Sequence, residues 1–220
     1  MLLAVDTSTT QVGIALYDGA QVIGEFSWRS SRRHTVELAP AISDLLTRCG
    51  LTMDDVKALG IALGPGSFTS LRVGLALVKG LALSKDIPLI GIPTLDILSQ
   101  AQPASELPMA VAIQAGRSRF ALGWYKSSEK GWQAQGEARI VTVEEINAEV
   151  ESPSILCGEF SAKNRQEISN ENIQLVSPAG SIRRPAVLAE LAWARWQAGN
   201  VDDAASLAPI YLQTDGSLPI

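Results

Sequence analysis

MLLAVDTSTTQVGIALYDGAQVIGEF, residues 1–26, opens the chain as three consecutive strands. Leu2 to Val5 form a short apolar run that stops at Asp6, the pattern of a buried strand. Gln11–Tyr17 and Gln21–Phe26 then flank Asp18-Gly19, a dipeptide that supplies the positive φ of a tight hairpin turn.

Working outward, Leu38, Ala39, Ile42, Leu45, Leu46 and Cys49 recur at helical spacing and predict a helix over 35–48, stopped by Gly50. Residues 58–63 read as a strand, Gly64-Pro65-Gly66-Ser67 as a loop, 69–84 as a helix, 89–92 as a strand and 94–101 as a helix. A proline-containing linker covers 102–108. Beyond it the order restarts: strands at 109–113, 120–126 and 138–141 with a turn near Gly131, a helix behind the capping box Thr142-x-x-Glu145, short strands at 155–157 and 173–176, and a final helix from Pro185 to Gly199. The expectation is an α/β chain with a first lobe over 1–102 and a second over 103–220. A doubled βββαβα order is the ribonuclease-H-like arrangement of the actin, Hsp70 and sugar-kinase (ASKHA) folds.

Composition narrows the function. The 220 residues carry 18 Lys+Arg against 23 Asp+Glu, a net charge of -5, which argues against autonomous tRNA or DNA binding through clustered cations. Arg29, Arg32, Arg33 and His34 make one short basic cluster and Arg183-Arg184 another; both read as solvated loop charges. Cys49 and Cys157 lack metal-ligand spacing and read as reduced, buried thiols. No signal-like leader opens the chain, and no uncharged run approaches the roughly 20 residues of a membrane helix, so a cytoplasmic location is expected.

Two loops carry the candidate chemistry. Asp6-Thr7-Ser8-Thr9 sits where a carboxylate at a strand end could hold a magnesium–water shell and hydroxyls could cradle phosphate. The favoured alternative is a hydroxyl-rich turn that satisfies its own backbone. Gly64, Gly66 and Ser67 precede a helix start, a placement that presents free N–H groups to an anion, but no Gly-Lys-Ser/Thr follows. His34 is the only histidine, too few for a histidine metal site, and no Gly-x-Ser-x-Gly elbow accompanies it. Trp193 and Trp196 lie three apart and read as packing groups. The helix over 69–84 is apolar nearly all round, which means burial in a core or cover by a partner.

Gly64-Pro-Gly-Ser-Phe-Thr-Ser-Leu-Arg-Val-Gly74 resembles the signature of the TsaB (YeaZ) family, with Asp6-Thr-Ser upstream, His34-Thr35 ahead of Pro40, Gly80-Leu81-Ala82, Gly91-Ile-Pro-Thr-Leu95 and Pro209-Ile-Tyr-Leu212. The resemblance implies a non-catalytic scaffold or activator in making threonylcarbamoyladenosine on tRNA. The expected partners are the paralogue TsaD or a second copy, met through first-lobe helices, and the ATPase TsaE on the TsaB–TsaD pair. It implies no cofactor here, with ATP/ADP and metal in the partner subunits; the second histidine of the TsaD metal motif corresponds to Leu38. Ser70 stands where the family usually has glycine, and Gln114-Ala115-Gly116 where many members have Asp-Ala-Arg. Ile42, Leu71, Leu75 and Val78 are the expected interface anchors, so that Leu75→Glu should abolish pairing without unfolding the monomer. The rival readings are an ATPase or kinase using Asp6 and the 64–67 loop, and a protease.

Overall fold

The computed structural model describes residues 1–31, 33–116 and 118–212. The first half runs β1 (Leu2–Asp6), β2 (Gln11–Tyr17), β3 (Val22–Arg29), α1 (His34–Arg48), β4 (Ala58–Gly64), α2 (Phe68–Lys85), β5 (Leu89–Pro93) and α3 (Thr94–Gln100). The second runs β6 (Met109–Gln114), β7 (Phe120–Ser128), β8 (Gly131–Ala134), β9 (Arg139–Val141), α4 (Val143–Glu149), β10 (Ser154–Gly158), α5 (Ala162–Glu167), β11 (Ile173–Leu175) and α6 (Pro185–Gln197). The sheets order as β3-β2-β1-β4-β5 and β11-β10-β6-β7-β8. In each, the first strand lies between its antiparallel hairpin partner and a parallel neighbour, so β6 repeats the place of β1, β7 of β2 and β10 of β4. This is the duplicated ribonuclease-H-like architecture.

Alternation explains why β1 is apolar throughout. Leu3 and Val5 face the core under α1 and α2, while Leu2 and Ala4 face the opposite side, under α6. Beside Leu2, Ile90 and Ile92 that second face carries the small residues Ala4, Ala15, Ala58 and Ala62, and a Cβ at Gly60 would come within 2.9 Å of Ala192 on α6. Glycine there lets the helix approach the sheet closely. Thr142 accepts from the Glu145 N–H, and Glu145 accepts from the Thr142 N–H, so the predicted capping box starts α4.

Three features depart from the sequence expectation. β8 forms a hairpin with β7 at Gly131, and the strand placed third in the second sheet, β9, pairs back onto β7 instead. α5 is an additional short helix, capped by Ser161 and Asn164. The boundary at 102 also does not divide the chain into two lobes. α6 and residues up to Leu207 return to the first sheet, while Leu95 and Leu98 of α3 pack in the second. The exchange follows from apolar faces: α3 and α6 each present a face to the sheet of the other half, and burial there outweighs sequence proximity.

Tyr125 on β7 ties this exchange by donating its hydroxyl to Asp96 on α3 at 2.7 Å. Burial raises the Asp96 carboxyl above its ordinary value, and the tyrosine bond only partly counters that. A carboxyl raised in the folded chain binds its proton more tightly there than when unfolded. The stability it lends is therefore present below the unfolded value of about 4 and lost as pH rises through the folded one. Asp96→Asn keeps the acceptor and removes the ionisation. Its urea midpoint should exceed the parent's near neutral pH, with the gap closing as pH falls towards about 4. A variant weaker than the parent near neutral pH, with that deficit vanishing towards pH about 4, would give the ionised carboxylate a net stabilising role.

Candidate functional site

The β1–β2 turn and the β4–α2 loop do come together, as their sequence suggests, but they close on each other. The Ser8 N–H donates to Asp6 Oδ1 at 2.8 Å and the Gln11 N–H to Thr9 Oγ1 at 3.1 Å, so the turn satisfies its own backbone. Ser67 donates its N–H to the Ser8 carbonyl at 2.6 Å, and Gly64 donates to the Thr94 hydroxyl at 2.9 Å. The Ser8 and Thr94 hydroxyls share a 2.7 Å hydrogen bond, and Thr7 donates to the Ser70 carbonyl at 2.8 Å. Gly66 sits so tightly on the Ser8 carbonyl that any Cβ would overlap it, and Gly64 has φ +107°. Asp6, Thr7, Ser8, Gly64, Gly66 and Ser67 thus form a packed contact in which the Ser8, Gly64 and Ser67 N–H groups are already bonded. Those three N–H groups are therefore not free to hold an anion. The Ser70 departure is accommodated, since its hydroxyl donates to Ser67 Oγ at 3.0 Å.

Arg183 is the group that sequence reasoning missed. Its side chain is fully buried, not solvated as its neighbour Arg184 is. Nε donates to Asp6 Oδ2 at 2.7 Å, Nη2 to Thr9 Oγ1 at 3.1 Å and to the Gln11 carbonyl at 2.9 Å, and Nη1 to Glu159 Oε1. Burial opposes the charge, but Asp6 and Glu159 outweigh it and hold the guanidinium above its ordinary pKa. The segment around Arg183 has no apolar period, and three of its four partners (Asp6, Thr9 and Gln11) lie more than 170 residues away, so sequence offers no signal for it.

Arg29 and Arg33 of the other basic cluster are exposed, and Arg32 lies outside the described residues. His34 is buried at the start of α1, with Nε2 3.1 Å from the Thr9 carbonyl. Leu38 is buried one turn on. Among the described residues no three His, Cys, Asp or Glu side chains are grouped to hold a metal. Gln114 ends β6 where Asp6 ends β1, and it is exposed; Ala115 is buried and Gly116 takes φ +91°.

The second candidate is the outer face of α1 and α2, and here the predicted anchors need correction. Leu71, Leu75 and Val78 are 1%, 7% and 0% exposed, and Leu75 and Val78 pack under the first sheet. Ile42, 4% exposed, also belongs to that core and reaches only the floor of the groove outside it. On a helix apolar all round, the sheet selects the face that carries Gly74, which lies against Thr7 and admits no Cβ. The outward face is a groove with two depressions of about 360 and 510 Å³, which meet at Ala39 and Leu77. Val73, Ala76, Leu77 and Leu81 form its α2 wall, and Ala39 and Thr47 stand on the α1 side. At its rim the Arg72 guanidinium lies 3.7 Å from the Phe68 ring centroid, and the Phe68 and Tyr211 rings are 5.0 Å apart.

The model of the TsaD family, tRNA N6-adenosine threonylcarbamoyltransferase, matches residues 28–182. The tRNA threonylcarbamoyladenosine biosynthesis protein TsaB of Escherichia coli is 30% identical over 156 residues, which cover 70% of this chain and 67% of that protein. The structure of YeaZ from Pseudomonas aeruginosa superposes with a TM-score of 0.79 at 26% identity, covering 96% of this chain and 99% of that one. The ethanolamine utilization protein EutJ from Carboxydothermus hydrogenoformans shares the fold alone, with a TM-score of 0.53, 11% identity and coverage of 86% of this chain and 88% of that one. A family match over most of the chain, a curated relative of the same kind and a superposition along nearly its whole length place this chain in the TsaB (YeaZ) family.

Proposed function

We propose that this chain is a non-catalytic subunit in the synthesis of threonylcarbamoyladenosine on tRNA, and that it works by binding a TsaD-family transferase through the outer face of α1 and α2. The observation that carries the reading is the apolar groove between those helices. Val73, Leu77 and Leu81 line it, and among the described residues no element covers them. Surfaces of that kind, rimmed by polar groups such as Arg72, Thr35 and Thr47, mark protein–protein contacts. The pathway comes from the name of the curated relative.

The packed cleft supports the non-catalytic half of the reading. A kinase or ATPase would need Asp6 and the 64–67 loop free for metal and phosphate, whereas Asp6 is paired with Arg183 and the loop with Ser8. ATP/ADP and metal accordingly belong to the partner subunits, with the TsaE ATPase acting on the assembled pair. A net charge of -5 leaves contact with tRNA to those partners. A second copy of this chain can use the same helix face, so a homodimer would compete with the pair.

The test is reconstitution. TsaD, TsaE and the enzyme that supplies threonylcarbamoyl-adenylate are mixed with tRNA, with and without this chain, and modified nucleoside is counted by mass spectrometry. Product should appear only when the chain is present, and the chain alone should make none. Equal product without it would remove the subunit role.

A further inference from the structure

We propose that Arg183 is a tethered cation that fills the cleft between the two halves and clamps them in one orientation. The clamp is independent of the partner assignment above. It rests on where the four contacts of Arg183 lie. Asp6, Thr9 and Gln11 belong to the β1–β2 turn of the first sheet, and Glu159 follows β10 of the second. One side chain therefore joins the edges of two bodies that are otherwise tied by the exchange of α3 and α6. Four of its five N–H donors are satisfied by these contacts.

The geometry is that of a cation site whose occupant comes from the chain itself. Asp6 Oδ2, Thr9 Oγ1, the Gln11 carbonyl and Glu159 Oε1 are all oxygen acceptors converging on one guanidinium. The same side chain is two residues ahead of Pro185, which opens α6 and packs on Gly13. Holding Arg183 thus also fixes where the chain re-enters the first sheet. Removing one partner of a buried ion pair leaves the other charge uncompensated, which is far more disruptive than losing a surface pair. Without the guanidinium, Asp6 and Glu159 would face each other with their cation gone, and the cleft should open.

Arg183→Ala tests this by hydrogen-exchange mass spectrometry on the whole chain. Amides of residues 6–11 and 158–161 should exchange at least about tenfold faster, while the interiors of β4 and β10 keep their protection. Guanidinium at tens of millimolar should reverse the change, and the same concentration of tetramethylammonium or urea should not. An unchanged profile would overturn the clamp, as would a uniform acceleration that guanidinium fails to reverse. Should that variant not fold, Glu159→Gln removes one arm with little change of shape. Faster exchange confined to 158–161 and 177–183 would support the clamp, and a parental profile would overturn it.

Discussion

Leu77→Glu should leave the chain folded and remove its association with the TsaD-family partner. Leu77 is half-buried on the outer side of α2, at the point where the two depressions of the groove meet. In the free chain a glutamate there reaches water along the open groove, so the melting curve should stay close to the parent's. In the pair the same carboxylate would be enclosed among apolar groups, where desolvating an unpaired charge is prohibitive. Central apolar anchors of an interface are worth about 2 kcal/mol or more, and a charge replacing one should weaken pairing by at least about 100-fold. Sedimentation or co-elution with the partner reads this directly, alongside circular dichroism of the variant alone. A folded Leu77→Glu chain that still co-elutes would move the interface off this face. The same variant should abolish any homodimer built on α1 and α2.

The groove was legible from sequence only as a class of feature. Apolarity from Leu71 to Leu83, broken only by Arg72 and Lys79, announces a helix covered on more than one side, but it leaves too few polar positions to separate the two sides. The side that meets the sheet is decided by fit, through Gly74 against Thr7. That contact is set by residues 67 positions apart. Strands behave differently, because their alternation is strict: Leu3 and Val5 part from Leu2 and Ala4 without ambiguity, and Asp18-Gly19 sets the hairpin. The doubled topology follows from that regularity. α5 escaped because it fully buries none of its residues, and β8 because its Gly131–Ala134 run is too short to carry a pattern. The lobe boundary failed for a related reason, since an apolar helix at the end of a chain does not declare which sheet it will cover.

The candidate cleft shows the same limit from the side of charge. Asp6 invites a reading in terms of metal and phosphate because a carboxylate at a strand end does that chemistry in many proteins. Its actual counter-ion is a side chain 177 positions away. Pairing over that distance leaves no trace in local composition, and an Arg-Arg dipeptide looks the same whether one member or neither is buried. Among the described residues the cleft is filled by the chain's own side chains while the apolar groove of α1 and α2 stays uncovered, a division that suits a subunit acting through contact with another chain.

Leu75→Glu, two residues before the groove position, should have the opposite effect and unfold the chain. Leu75 is 7% exposed and packs with Val5, Ile61 and Leu38 in the core beneath the first sheet. A carboxylate there has no partner and no path to water, which places the substitution among the few mechanisms that exceed about 4 kcal/mol. Against a typical total stability of about 5–15 kcal/mol, that loss is enough to remove the cooperative transition or drive the protein into aggregates. Leu75→Ala, which leaves only a cavity, should cost about 2–5 kcal/mol and still pair with the partner once folded. Thermal melts and pairing assays on both variants separate the two faces of α2. A Leu75→Glu chain that melts like the parent and has lost only its partner would turn the helix around, placing Leu75 in the interface and Leu77 in the core.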